Sequence, residues 1–407
     1  MMLDAKTVEI VKLTAPVLKE HSHDIGHRFY ELLFSKVPEL NNMFNQTNQK
    51  RGLQQDALAY AVYEAGANIE HLDAIKPMVH RITQKHRALG VKAEHYPVVG
   101  GTLLAAVKDV LGAAATDEII DAWGRTYSYI ADIFISAEQG LYDEMEHKQG
   151  GWIGVRNFVV DRKIKESDVI TSFYLKPEDG KPIASYEAGQ YITVWLDIPG
   201  EKYTHVRHYS LSEAPGKDFY RISVKREEGR ANVPSGIVST YIHDHVDEGS
   251  HLKVSAPAGD FTIYTKNTPI VLISGGVGIT PMISMLNTIV ETQPERQVTF
   301  IHAAMNSKVH AMKEHIGKLA RQHERVKSFV CYESPTEQDR AEHNYDKEGF
   351  VTLEWLSSVI DDKQADFYVC GPLPFMRVVL RALKDMEIPD DRSHYESFSP
   401  VGILEEA

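Results

Sequence analysis

Arg207-His208-Tyr209-Ser210 lies near the middle of the chain, inside a strand-like run from Tyr203 to Ser212. The guanidinium offers a fork for phosphate oxygens. The Tyr ring can lie against another flat ring system, and the Ser hydroxyl adds a small donor and acceptor. Alone, these four residues also fit an ordinary strand with a surface Arg. Two further stretches give them context: Gly275-Gly276-Val277-Gly278-Ile279-Thr280-Pro281 and Cys370-Gly371-Pro372. The first leaves an apolar run, Ile270–Ser274, and enters a helical pattern with Thr280 as the expected N-cap and Pro281 as its first residue. The missing side chains of Gly275, Gly276 and Gly278 let phosphate oxygens reach the backbone, and a helix start favours anions.

Strands and helices alternate around that loop. Val298–Ile301, Lys327–Val330 and Asp366–Cys370 read as strands, with helices near Ala311–Gln322 and Leu373–Met386. Such alternation predicts a parallel doubly wound sheet, whose ligands gather at the carboxyl ends of the strands. Upstream, from Trp152 to about Tyr264, the chain reads as short strands and turns. Tyr191–Leu196 and Tyr220–Val224 are the clearest strands, and Pro199-Gly200 and Glu228-Gly229 are turn signals, which together predict an antiparallel barrel. Gly189-Gln190-Tyr191 precedes the central stretch. Gly236-Ile237-Val238-Ser239 opens a helix whose first amides can hold a pyrophosphate, although a plain turn fits the same residues. His243, His245 and His251 read as surface residues, because no acid or cysteine spacing completes a metal site.

The bulk properties limit the function classes. With 407 residues the chain has room for about three domains at roughly 150 residues each. Hydrophobic content of 43% and charged content of 25% are those of a globular protein. A net charge of −13 disfavours nucleic acid as a partner. Cys331 and Cys370 sit in apolar strand-like runs, so a reducing, cytoplasmic setting without a disulfide framework is expected. No apolar run predicts stable membrane insertion, and the first residues do not read as a signal peptide.

The first third is helical up to about His147, and Lys148–Gly151 reads as a hinge. Tyr30 shares a helical face with Leu33, Phe34 and Val37. Gln54 and Leu58 are four apart on a helix beginning near Arg51. His86 follows Ile82 by four and precedes Leu89 by three, on a helix that Pro77 starts and Gly90 stops. Each residue also fits a structural role: a hydrogen-bonded core histidine, a core tyrosine with a satisfied hydroxyl, a half-exposed glutamine. The last helix starts at the N-cap Thr116. Glu138 falls four after Phe134, either buried on the apolar face or solvated beyond the helix end.

Taken together and in this order, these residues resemble a flavohaemoglobin, and the later motifs resemble the ferredoxin-reductase type of flavin and nicotinamide module. The resemblance implies a multidomain chain: an all-α globin (1–148), an antiparallel β-barrel FAD domain (149–264) and an α/β doubly wound nicotinamide-binding domain (265–407). The implied cofactors are haem b, FAD and NADH or NADPH. His86 is implied as the proximal iron ligand, with Lys85 beside it, Phe44 and Leu58 lining the pocket, and Tyr30 and Gln54 on the distal side. Tyr96 and Glu138 are implied to pair with His86. The flavin seat is implied to comprise Tyr191, Arg207, His208, Tyr209, Ser210, Gly236, Val238 and Ser239. The nicotinamide side is implied to comprise Gly275, Gly276, Val277, Gly278, Ile279, Thr280, Pro281, Cys370, Gly371 and Pro372. In the closing segment Glu396 would lie between flavin and haem, and Phe398, Ser399 and Pro400 beside the flavin. Ser399 stands where many relatives carry Gly. The implied activity is NO dioxygenation by a monomer: a nicotinamide reduces FAD, the flavin passes single electrons to haem iron, and O2 and NO yield nitrate. A haem-based gas or redox sensor, or a plain flavin or ferric reductase, are the other readings. No Arg in Ala303–Lys308 suits a 2′-phosphate, which favours NADH.

Overall fold

A computed structural model describes residues 3–45, 63–229, 234–264 and 267–398. Gln54, Leu58, Ser399 and Pro400 lie outside the described residues. The described residues fall into two compact units, one formed by residues up to 155 with 195–207, the other by 156–194 with 208–398.

The first unit is helical: α1 (Ala5–Glu20), α2 (Ser22–Lys36), α3 (Lys76–Leu89), α4 (Tyr96–Leu111) and α5 (Asp117–His147). Local chemistry sets the helix ends. Asp4 caps α1 by accepting from Thr7 N at 3.0 Å, and Thr116 caps α5 through Ile119 N at 3.3 Å. Gly90 ends α3 at φ +77°, the left-handed position that a side chain disfavours. Val11, Leu33, Ala106 and Ala122 are fully buried between these helices. At Gly100, a Cβ would sit 2.3 Å from the Tyr127 ring, so glycine lets α4 and α5 approach closely. Among the described residues one stretch, Ala93–Ala114, is apolar and long enough to cross a membrane by length and composition. Its Leu103, Ala106 and Val107 are buried in the helical core.

The barrel is a six-stranded sheet in the order β4-β3-β6-β1-β2-β5. Its strands are β1 (Val155–Lys165), β2 (Ile170–Pro177), β3 (Tyr191–Leu196), β4 (His205–Ser210), β5 (Tyr220–Lys225) and β6 (His251–Ser255), with α6 (Ile237–His245) between β5 and β6. An antiparallel bridge from Leu211 to Ile222 joins the continuation of β4 to β5 and closes the ring.

The last part is a parallel sheet in the order β10-β9-β8-β7-β11-β12. Its strands are β7 (Ile270–Gly275), β8 (Val298–Ala304), β9 (Val326–Tyr332), β10 (Lys347–Glu348), β11 (Asp366–Cys370) and β12 (Ser393–Glu396). The helices are α7 (Ile279–Thr292), α8 (Lys313–Gln322), α9 (Glu337–Glu342), α10 (Leu353–Val359) and α11 (Leu373–Asp385). The strand order runs outward from β7 through β8 to β10, then returns to the other side of β7 at β11. The switch point between β7 and β11 is where such sheets bind ligands.

Candidate functional site

Among the described residues the helical unit contains two separate apolar clusters. One holds Phe29, Tyr30, Leu33, Leu103 and Trp123, with Phe34 and Phe44 against it. The other holds Ala65, Ile75, Val79 and Phe134, with Ile82 and Tyr96 against it. Tyr30 is 5% exposed, and its ring meets Phe44 edge-on at 5.6 Å. His86 belongs to the second side, 6.2 Å from the Phe134 ring. Lys85 precedes it, half-buried.

Glu138 is buried inside α5, which runs for 31 residues to His147 and so does not end before it. Its Oε1 accepts from Tyr96 at 2.6 Å and stands 2.7 Å from His86 Nδ1. Tyr96 OH is itself 3.2 Å from that nitrogen. Burial and the adjacent Glu138 carboxylate push the Tyr96 phenol far above its ordinary range, so it stays a donor. With Nδ1 engaged, Nε2 is the ring nitrogen available to a metal. Among the described residues no cluster of three or more His, Cys, Asp or Glu could hold a bare ion. A single His backed by a carboxylate suits an iron already held by a porphyrin, so the donor set fits haem.

On β4, His208 Nδ1 is 2.8 Å from Thr193 Oγ1, and its exposed ring lies 4.8 Å from Tyr191. Arg207 donates to Val206 O at 2.7 Å. Tyr209 is half-buried and Ser210 buried. Gly236 caps α6, with Val238 and Ser239 in its first turn. A Cβ at Gly236 would meet Ser239 Oγ at 2.7 Å and Glu227 Cβ at 3.0 Å, a close fit at the helix start. His245 and His251 are exposed as expected. His243 is half-buried, its Nε2 2.9 Å from Val224 O, because α6 lays this face on β5.

Two sequence motifs interlock at the switch point. A Cβ on Gly278 would lie 2.2 Å from Cys370 O. Cβ atoms on Gly275 and Gly371 would strike the Phe375 ring at 2.9 and 2.7 Å. Gly276 sits at φ +52° with nothing within 4 Å of where a Cβ would be, an open backbone bend fit for phosphate. The helix start differs from expectation. A 3-10 turn, Gly276–Gly278, runs straight into α7, whose N-cap is Gly278. Ile279, Thr280 and Pro281 therefore form the first turn, and Thr280 Oγ1 donates back to Val277 O at 3.0 Å. Pro281 stays within the first turn, where no backbone donor is needed. Pro372 caps α11. Cys370 is fully buried, and burial raises its thiol well above the ordinary range.

Glu396 arrives by an edge strand that its sequence does not announce: β12 pairs parallel to β11 with Glu396 beside Cys370. Phe398 is 50% exposed. Sequence reasoning also missed Thr193 and Phe375. The period-two pattern of β3 and the Phe one turn into α11 were the available signals.

Comparison with known proteins agrees with this three-part arrangement. Family models match residues 27–134 (Globin), 157–263 (Oxidoreductase FAD-binding domain) and 272–381 (Oxidoreductase NAD-binding domain). The flavohemoglobin structure from Malassezia yamatoensis, described as having bound FAD and heme, is similar in fold with a TM-score of 0.85 at 24% identity, covering 98% of this chain and 100% of that one. The FAD/NAD-binding domain of a nitric oxide dioxygenase from Vibrio cholerae O1 biovar El Tor is 38% identical with a TM-score of 0.55, covering 60% of this chain and 99% of its own. A flavohemoprotein of Bacillus subtilis (strain 168) is 49% identical over 98% of both chains. One of Bacillus thuringiensis subsp. konkukian is 56% identical over 99% of this chain and 100% of its own length. This chain belongs to the flavohemoprotein family.

Proposed function

We propose that this protein is a nitric oxide dioxygenase driven by a nicotinamide. The observation that carries the reading is one chain joining a His86–Glu138–Tyr96 cluster in a globin fold to FAD-binding and NAD-binding folds. The 38%-identical neighbour called a nitric oxide dioxygenase supports it. When bound, haem and FAD supply one-electron chemistry that joins NO to O2 as nitrate, with electrons drawn from NADH or NADPH.

The chain's own residues hold and orient. His86 would hold the iron through Nε2, while Glu138 and Tyr96 fix its ring. Tyr30, buried against Phe44, would supply a phenol to the gas pocket, where a donor steadies negative charge on oxygen. Tyr191, Tyr209 and Ser210 seat the flavin, and Gly275–Gly278 with Cys370 and Gly371 receive the dinucleotide. Glu396 stands at the end of β12 beside that site. We also infer domain limits near residues 148 and 264, supported by the three family ranges. The buried free Cys331 and Cys370 support a reducing, cytoplasmic setting.

An anaerobic absorption experiment tests the reading. NADH should bleach the flavin first and then convert the haem band to its reduced form. A His86→Ala protein should lose the haem band and keep flavin bleaching. A haem band retained in that variant would remove His86 from the iron, and a flavin that NADH leaves oxidised would break the reductase half.

A further inference from the structure

Glu213 stands three residues beyond Ser210, where the chain leaves β4. Its backbone oxygen accepts two hydroxyls at 2.6 Å, from Tyr186 of the barrel and from Ser284 of α7. Its carboxylate accepts from Asn287 Nδ2 of α7 at 2.8 Å and pairs with Arg221 of β5 at 3.2 Å. Asn287 is 6% exposed, and its Oδ1 lies 2.7 Å from His315 Nε2 of α8. Because Nδ2 is committed to Glu213, Oδ1 must accept and the His315 ring must donate. Arg221 is held in turn by Ser212, through Nε to Oγ at 3.2 Å and through a second nitrogen to the carbonyl.

Ser284 and Asn287 are the i and i+3 residues of one face of α7, a helix buried from Ile279 through Asn287. The same helix presses Met285 against Gly189, where a Cβ would meet Met285 Cε at 2.6 Å. Apolar contact holds the helix against the barrel, but being non-directional it leaves some freedom along the helix axis. Directional bonds to a single residue remove that freedom.

We propose that Glu213 is a positioning residue for hydride transfer. Through Ser284, Asn287 and His315 it fixes where α7, and so the glycine loop at its start, stands along the strand bearing Tyr209 and Ser210. The inference rests on the reductase half of the proposed function. In that step a hydride, two electrons with one proton, leaves the dihydronicotinamide and joins the oxidised flavin. The products are oxidised nicotinamide and reduced flavin.

The test uses full-length holoprotein and anaerobic stopped-flow bleaching of the flavin by NADH. Glu213→Ala and Asn287→Ala should lower the limiting reduction rate by about 10- to 100-fold, because small misplacements weigh heavily on reacting atoms. FAD content and half-saturating NADH should stay within about twofold of the parent. Glu213→Gln keeps an oxygen for Asn287 and should recover most of the rate. Limiting rates within about twofold of the parent in both alanine variants would overturn the proposal. So would rate loss that only tracks FAD loss, or a Gln variant no better than Ala. Light-driven flavin reduction followed by NO and air bypasses the nicotinamide, so a failure of NO turnover shows separately.

Discussion

Glu138 Oε1 stands 2.7 Å from His86 Nδ1, on a carboxylate that is 2% exposed. A buried carboxylate with so little solvent depends on its hydrogen-bond donors. In Glu138→Gln the contact atom survives and the charge goes. The imidazole then pushes less electron density toward iron. NO consumption should fall by about 10- to 100-fold with haem retained. The iron–histidine stretch in resonance Raman should drop in frequency, and an unchanged stretch would refute the electronic role.

Tyr96 donates to the same oxygen at 2.6 Å. Tyr96→Phe removes that donor and leaves the ring volume nearly intact. The expected cost is about 1–3 kcal/mol of stability in the helical part. Urea unfolding followed by haem absorbance measures it, and no loss would mean that His86 alone satisfies Glu138.

Gly278→Ala would drive a methyl to within 2.2 Å of Cys370 O. Backbone cannot give way there as a flexible side chain could, so overpacking of about 1–3 kcal/mol is expected. Half-saturating NADH should rise while the haem and FAD spectra stay unchanged. A thermal-shift measurement and NADH titration check both parts.

How legible was this in the sequence? Caps, glycines and strand periodicity are local signals. They placed α3 between Pro77 and Gly90, the helix start at Thr116, strand β3, and the glycine loop after β7. Burial of Glu138 was not legible, because spacing shows a shared face but not whether the helix continues. The pairing of β12 with β11 was hidden for a related reason: parallel contact between distant segments leaves no local mark. Thr280 has the chemistry of a cap, yet the 3-10 turn before it takes that position. The polar Ser284 and Asn287 within the buried run 279–287 of α7 were the available clue to the Glu213 network.

The rings of His302 and His310 lie 4.4 Å apart in the nicotinamide domain. Ser274 Oγ and Tyr332 OH engage their Nδ1 atoms at 2.8 and 3.0 Å. Burial brings His302 down to about 3 and holds His310 well below its ordinary value. The unfolded chain takes up these protons near pH 6.5 and the folded domain does not. For His302 the stability contribution is therefore complete at neutral pH and is lost on acidification from about 6.5 toward about 3, and His310 changes in the same direction. For His302 the slope is about 1 kcal/mol per pH unit. Replacing His302 by Gln should flatten the acid limb by about 1 kcal/mol between pH 7 and 5.5. Parallel urea titrations at the two pH values decide it.

Nitrate counted against NADH in air is the most direct measurement of the proposed activity. Joining NO to O2 as nitrate takes one electron, and each nicotinamide carries two. The purified holoprotein should form two nitrate ions for every NADH that NO causes it to oxidise, and His86→Ala should form none. NADH oxidation that NO leaves unchanged, or that yields no nitrate, would contradict the assignment.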